Sequence, residues 1–370
     1  MSRPVRAHID LSALRHNFGI ARRHAGTARL WAVVKANAYG HGLLRCAEAL
    51  SDTATENAAD GFALIELENA LKLRAAGIRQ PILLLEGHYH ADELPLFAEH
   101  RLTPVLHTLS QIHSFVTAGL PNRLPVYLKL NTGMNRLGLD PAEYPTALRL
   151  LERSANVASI TLMTHFSDAD YGHAVNGLAP QLARLARFKN PAAHPLSLAN
   201  SAALLRHPET CAGTGNWARP GIMLYGSAPD PGWRNASELG LRPVMTLSSE
   251  LIAVRPLAGG ERVGYNGHFT AEQDMRIGIV ACGYADGYPR HAPTGTPVLV
   301  AGQRSRTLGR ISMDKLCVDL THLPTATPGT PVTLWGAGLS ADEVAHAAGT
   351  VSYELFCALA ARVPIIEQST

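Results

Sequence analysis

LWAVVKA (30–36), GFAL (61–64), PILLLEG (81–87), LTPVL (102–106), LPVYLKL (124–130), VASITLMTH (157–165), HPLSL (194–198) and RPGIMLYG (219–226) are short apolar runs that recur along the first part of the chain. Near-continuous hydrophobic runs of this length read as strands buried on both faces. Helical patterns lie between them. ELENALKLRAAG (66–77) ends on a glycine that suits a helix C-terminus, and PAEYPTALRLLERS (141–154) opens with Pro141 near its first turn. Eight strands alternating with helices within about 250 residues is the arithmetic of an α/β fold, a parallel (β/α)8 TIM-type barrel.

Beyond residue 235 the rhythm changes. VMTLSSELIAVRPL, MRIGIVACGYA, TPVLVAG, KLCVDLT and TPVTLWG are strand-like runs separated by Gly, Pro and Asn, with little helix before ADEVAHAAG. This predicts a second, mostly antiparallel β domain. APDPGWRNAS (228–237) is the natural boundary. The expected organisation is a barrel over 11–232 and a β domain over 233–370, joined by residues 1–10.

Composition narrows the function. The 370 residues carry 33 basic and 30 acidic side chains, a net charge of 33 − 30 = +3. That balance offers neither a nucleic-acid groove nor a polybasic membrane patch. No apolar run reaches the roughly 18–20 residues that span a bilayer, and MSRPVRAHIDLSALRHN has no continuous apolar segment of the signal-peptide kind. Five cysteines, an odd number without a C-x-x-C pair, fit reduced thiols. A cytoplasmic protein is expected.

Only five of the basic residues are lysine: Lys35, Lys72, Lys129, Lys189 and Lys315. Arginine can replace lysine on a solvated surface, but not where an amine must lose its proton. Lys35 ends the WAVV strand, at the barrel rim where chemistry gathers. Its apolar neighbours would lower its pKa and favour a Schiff base, although spacing alone does not separate it from an ordinary strand-end lysine. After the seventh strand, Asn200 and Ser201 open the helix SAALLRH with Ser201 placed as its N-cap. Arg219-Pro220-Gly221-Ile222 follows at the eighth. Loops at these two positions commonly hold phosphate. A phosphate cradle and a reactive lysine in one barrel mouth suggest pyridoxal 5'-phosphate.

VVKANAYGHG (33–42) strongly resembles the cofactor-attachment motif of the alanine racemase family. LKLNTGMNRLG (128–138), THFSDAD (164–170), LANSAA (198–203), WARPGIMLYG (217–226), VGYNGHF (263–269), GYADGYPR (283–290), GRISMDKLCVDL (309–320) and TVSYELFC (350–357) resemble its other signature segments, in the family's order. The resemblance implies that Lys35 holds pyridoxal phosphate as a Schiff base and serves as base on one face of the substrate. Tyr39, Ser201, Gly221, Ile222 and Tyr353 would hold the phosphate, with Asn200 beside them. His165 would support the ring, and Arg219 would face the pyridine nitrogen.

Tyr265 would be the base on the opposite face. Arg136 and the backbone N–H of Met313 would hold the substrate carboxylate, with Asp314 adjacent, and Tyr284 and Tyr353 would narrow the entrance. The implied assembly is a homodimer whose sites combine Lys35 of one subunit with Tyr265 of the other. The implied reaction is racemisation of L- and D-alanine, feeding peptidoglycan synthesis.

Two opposed bases suit racemisation, which removes a proton from one face and returns one to the other. Tyrosine titrates near pH ~10 and needs a nearby cation to act as a base, a role for Arg136. Arg219 cannot easily protonate a pyridine nitrogen, so it would weaken the electron sink and limit side reactions. Lys129 matches a lysine that is carbamylated in many family members, although Asn131 stands where many carry aspartate, and Ser312 where some carry cysteine.

Rival readings are weaker. His88-x-His90 with His165, Asp168 and Lys129 could suggest a metal-dependent barrel hydrolase, but the expected H-x-H follows strand one. His88 and His90 read as solvated loop residues, and no metal is expected. TLWGAGLSADEVA (333–345) has the spacing G-x-G-x-x-A, yet no second parallel strand follows, and Ser340 with Glu343 fits a capping box better. A single-barrel pyridoxal-phosphate binding protein would lack the second domain. A decarboxylase of the same fold is disfavoured by Tyr265 and Arg219, and another amino-acid racemase of this fold is the alternative, against which the crowded entrance tyrosines favour a small substrate.

Overall fold

The structure, a computed structural model, describes residues 3–52, 57–170, 177–188, 193–213 and 215–368. Strand β1 (Arg6–Asp10) is followed by helix α1 (Leu11–Ala25), which Asp10 caps by accepting the Ala13 N–H at 2.9 Å. Eight parallel strands follow. They are β2 (Arg29–Val33), β3 (Gly61–Leu64), β4 (Ile82–Leu84), β5 (Leu102–Leu106), β6 (Leu124–Lys129), β7 (Val157–Met163), β8 (Leu196–Ser197) and β9 (Trp217–Ala218). They pair in the order β8-β7-β6-β5-β4-β3-β2-β9. The seam between β8 and β9 carries an Arg219 N–H to Ala199 carbonyl bond of 2.9 Å, so the sheet nearly closes into a barrel.

Aromatic rings fill the barrel interior. Trp31 stacks on Trp217 with centroids 4.2 Å apart, and its indole N–H donates to the Tyr127 hydroxyl at 2.9 Å. A Cβ on Gly61 would overlap the Trp31 ring, so glycine at this strand start makes room for indole.

The second sheet has eight strands: β1 and seven of the nine strands after residue 244. The strands are β10 (Met245–Leu257), β11 (Arg262–Val263), β12 (Phe269–Thr270), β13 (Met275–Val280), β14 (Pro297–Val300), β15 (Gln303–Leu308), β16 (Leu316–Asp319), β17 (Pro331–Trp335) and β18 (Ile365–Gln368). β11 and β12 form the separate hairpin. The long β10 changes partners along its length: its first half pairs with β1 and β17, its second with β13, with a register shift between Leu251 and Ala253. The circuit β10-β13-β16-β15-β14-β17 therefore returns to β10, and all its pairs are antiparallel.

Several expectations need correction. RPGIMLYG is not the eighth strand: β9 ends at Ala218, and Ile222–Tyr225 is a single 3-10 turn. Its residues are fully buried, and a short buried apolar run does not reveal its backbone conformation. β15 escaped notice because QRSRTL is polar, and Ser352–Cys357 adds a helix after Ala341–Ala347. Ser340 caps Asp342 N–H at 3.1 Å, but Glu343 pairs with Arg304, so no capping box forms. His88 is buried rather than solvated and bonds Ser114 Oγ through Nε2 at 2.7 Å, whereas His90 is exposed.

Candidate active site at the barrel mouth

The C-terminal ends of the barrel strands surround a cavity of about 400 Å³. Lys35, Tyr39, Lys129, Arg136, His165, Asn200, Ser201, Arg219, Gly221, Ile222 and Tyr353 all line it. The structure also adds Glu86 and Asp170. Glu86 sits just past β4 in a run read only as a strand, so its position at a strand end was the available signal.

Lys35 lies two residues past the end of β2 and begins an unusual turn. Ala36, Asn37, Ala38 and Tyr39 all have φ between 51° and 55°. Four successive non-glycine residues in left-handed conformation are unfavourable by roughly 1–2 kcal/mol each, so surrounding contacts must hold them. His41 supplies some: its buried Nδ1 bonds the Ala38 and Tyr39 carbonyls at 3.1 and 2.8 Å. Burial lowers His41 to about 4, so the ring stays neutral and Nδ1 can carry the donated proton. Asn37 Oδ1 accepts the Leu43 N–H at 2.9 Å. The turn aims Lys35 and Tyr39 into the same cavity.

Opposite them, Ser201 is not the helix N-cap. Asn200 takes that role, accepting the Ala203 N–H at 3.0 Å, which leaves Ser201 Oγ to accept the Gly221 N–H at 2.8 Å. A Cβ on Gly221 would lie 2.6 Å from the Tyr39 hydroxyl, and Tyr39 is itself stacked on Tyr225 at 4.7 Å. Only glycine permits this approach. Ile222 opens the 3-10 turn, so its N–H lacks an intrahelical acceptor. Burial pushes the Tyr39 phenol above its usual range, keeping it a hydrogen donor. Together these groups fit a phosphate.

Arg219 is 4% exposed and forms no ion pair with a carboxylate among the described residues. Its Nη1 donates to the Ser197 carbonyl at 2.6 Å and the Ser197 hydroxyl at 2.7 Å; its Nη2 donates to the Thr164 and Leu198 carbonyls at 2.6 and 3.2 Å. Nε takes no part in these bonds. Burial lowers this guanidinium to about 10, which still leaves it charged near neutrality. His165 is pushed well below its usual value by burial, then by Arg219 and Lys129, so it is neutral. Its Nε2 lies 3.5 Å from Asn200 Nδ2.

Lys35 is lowered first by burial and then by Arg136, which favours a nucleophilic amine. Lys129, at the end of β6, is lowered to about 8 by burial, then by Arg219 and Arg136. Asn131 organises the neighbouring loop: its Oδ1 accepts the Gly133 and Asn135 N–H groups at 3.1 and 3.2 Å, and its Nδ2 donates to Asp140 at 3.2 Å.

Tyr265, Tyr284, Met313 and Asp314 do not line this cavity. They lie on the second sheet's loops, where Tyr265 is 71% exposed and Met313 53%. Asp314 is engaged elsewhere, in an ion pair with Arg362 at 2.6 Å. Among the described residues, no group of three His, Cys, Asp or Glu side chains is arranged to hold a metal, and no helix is long and apolar enough to cross a membrane.

Residues 9–229 match the family model for the alanine racemase N-terminal domain, and residues 244–367 that for the alanine racemase C-terminal domain. The chain is 52% identical over 371 residues to an alanine racemase of Nitrosomonas eutropha, covering 100% of both chains. It is 50% identical over 366 residues to a catabolic alanine racemase of Salmonella typhimurium, covering 99% of each. The crystal structure of biosynthetic alanine racemase from Pseudomonas aeruginosa superposes with a TM-score of 0.93 at 48% identity, covering 99% of this chain and 100% of that one. Alanine racemase from Bartonella henselae, described with covalently bound pyridoxal phosphate, superposes with a TM-score of 0.85 at 27% identity and 99% coverage of each.

Proposed function

The chain belongs to the alanine racemase family, and from that premise we propose that Lys35 and Tyr265 are the two bases by which it interconverts L- and D-alanine. The observation that carries this reading is the convergence of Lys35, Arg136 and a phosphate-type cradle in one cavity. Lys35 would hold pyridoxal phosphate. Tyr39, Ser201, Gly221, Ile222 and Tyr353 would hold its phosphate, with Asn200 fixing the helix start, His165 beside the ring and Arg219 toward the pyridine nitrogen. When bound, the cofactor withdraws electrons from the substrate's α-carbon and so acidifies its α-proton.

The chain's residues then divide the work. The Lys35 amine, lowered by burial and Arg136, takes or returns a proton at one face of the α-carbon. The Tyr265 hydroxyl does the same at the other face. The Arg136 guanidinium and the Met313 N–H bind the substrate carboxylate, while Tyr284 and Tyr353 narrow the entrance to exclude larger substrates. Lys129, an amine lowered to about 8 with cations around it, is carbamylated in this reading, and the resulting anion orients Arg136.

Because Tyr265, Met313 and Tyr284 stand exposed on the second sheet's loops, a second copy supplies them, and the working form is a homodimer with shared sites. We divide the chain into a barrel unit over 11–232 and a β unit over 233–370 joined by residues 1–10. Supporting this, β1 pairs with β10 and β18 of the second sheet. Five cysteines present as free thiols suit a cytoplasmic setting. The D-alanine formed feeds peptidoglycan synthesis, so the chain should restore growth to a bacterium dependent on added D-alanine.

The test is incubation with L-alanine in deuterated water. D-alanine carrying α-deuterium should accumulate, and its absence would refute the reading. Mixed Lys35→Ala and Tyr265→Ala subunits should recover activity that neither variant shows alone.

A further inference from the structure

Asp286 has a side chain with 0% exposure and no part in the roles above. It closes the 3-10 turn Tyr284–Asp286. A buried carboxylate persists only when its oxygens are fully partnered. Here Oδ1 accepts from Arg3 Nη1 at 2.7 Å and Arg362 Nε at 2.8 Å, and Oδ2 accepts from Arg3 Nη2 at 2.9 Å and the Gly283 N–H at 3.0 Å.

Both arginines reach beyond Asp286 to the same neighbour. Arg362 Nη2 donates to Asp314 Oδ1 at 2.6 Å, and Arg3 Nη2 to the Asp314 carbonyl at 3.3 Å. The backbone adds an independent tie. The Tyr284 and Ala285 N–H groups donate to the Ser312 and Met313 carbonyls, each at 3.0 Å. A Cβ on Gly283 would overlap both carbonyls, so the two loops meet only because that position is glycine. Loop 312–314 is thus fastened through its carbonyls and its acid. The Met313 N–H, by contrast, donates to no partner among the described residues.

We propose that Asp286, acting through Arg362 and Arg3, is a positioning residue that fixes loop 312–314 so that the Met313 N–H meets the carboxylate of a substrate bound in the other copy's cavity. The proposal rests on the shared-site reading above. Its physical content is a charge-clamped junction that ties the segments leading into the paired strands β1 and β18 to the loops at the ends of the paired strands β13 and β16. The clamp keeps the donor in place before substrate arrives, so less ordering is needed on binding.

Arg362 is half-exposed, and it alone among the described residues bridges Asp286 and Asp314 by side-chain bonds to both. Arg362→Met should raise KM for alanine by about tenfold while leaving kcat and cofactor absorbance near those of the unaltered enzyme, as loss of ground-state binding requires. Arg362→Lys should recover part of the loss.

The decisive measurement uses mixed dimers with one working site, formed from Lys35 of a Tyr265→Ala subunit and the loops of a Lys35→Ala subunit. Arg362→Met placed on the Lys35→Ala subunit should raise KM; placed on the Tyr265→Ala subunit it should not. A rise in both arrangements, or in neither, would overturn the proposal. Inactivity of the mixed dimer without Arg362→Met would instead overturn the shared-site reading, and the proposal with it.

Discussion

Replacing Lys129 by methionine tests the electrostatics of the cavity most directly. Lys129 is 6% exposed, and burial together with Arg219 and Arg136 lowers it to about 8. A lysine in the unfolded chain titrates near 10.4. Keeping the amine protonated in the fold therefore costs about 3 kcal/mol at pH values below 8. Between about 8 and 10.4 the unfolded chain holds a proton that the folded chain has lost, so stability rises with pH across that window.

In carbon-dioxide-free buffer Lys129→Met should thus be more stable than the unaltered protein by up to about 3 kcal/mol near neutrality. The advantage should fade as the pH approaches 10.4. Bicarbonate should reverse the order. The neutral amine attacks carbon dioxide, a C–N bond forms, a proton leaves to solvent, and the carbamate anion faces Arg136 and Arg219. Methionine cannot respond. Urea unfolding of both proteins across this pH range, with and without bicarbonate, reads the difference. A pH-independent difference in carbon-dioxide-free buffer would refute the desolvated amine, and indifference of the unaltered protein to bicarbonate would refute the carbamate.

Two further substitutions probe the cofactor cradle. Gly221→Ala places a methyl 2.6 Å from the Tyr39 hydroxyl, whose ring is pinned against Tyr225, so it should weaken pyridoxal-phosphate binding. Strain of about 1–3 kcal/mol corresponds to roughly fivefold to a hundredfold in an absorbance titration of the apoprotein, and unchanged affinity would show that the close approach is dispensable. Arg219→Glu should increase transamination of alanine to pyruvate, followed with a coupled dehydrogenase on protein whose circular dichroism confirms folding. No increase would show that the guanidinium does not restrain that side reaction.

The barrel was legible because its strands are continuous apolar runs: β3 through β7 lie inside the stretches that the sequence marks, and β2 starts one residue ahead of its own. β9 was misplaced because Ile222–Tyr225 is as apolar as a strand while forming one helical turn. Burial selects side-chain type there, and the same types satisfy either backbone. The chemistry of the site was legible in residue types and motifs: an amine at Lys35, a guanidinium at Arg219, a glycine at Gly221. The turn after Lys35 was not. Nothing in Ala36, Ala38 or Tyr39 calls for positive φ, because that conformation is imposed by contacts such as those of His41.

By itself the sequence determined which elements alternate, which faces are apolar and which side chains can exchange a proton, since these follow from periodicity and functional groups. Only the tertiary structure decided which groups share a dielectric and a partner. It brought Lys129 within the electrostatic influence of Arg136 and Arg219, turned Arg219 toward carbonyl oxygens, and left Tyr265 outside its own chain's cavity. It also drew Arg3 and Arg362, from opposite ends of the chain, onto one buried carboxylate. Local patterns specify backbone and burial, whereas charge coupling falls with distance in space, and that distance exists only once the strands have closed.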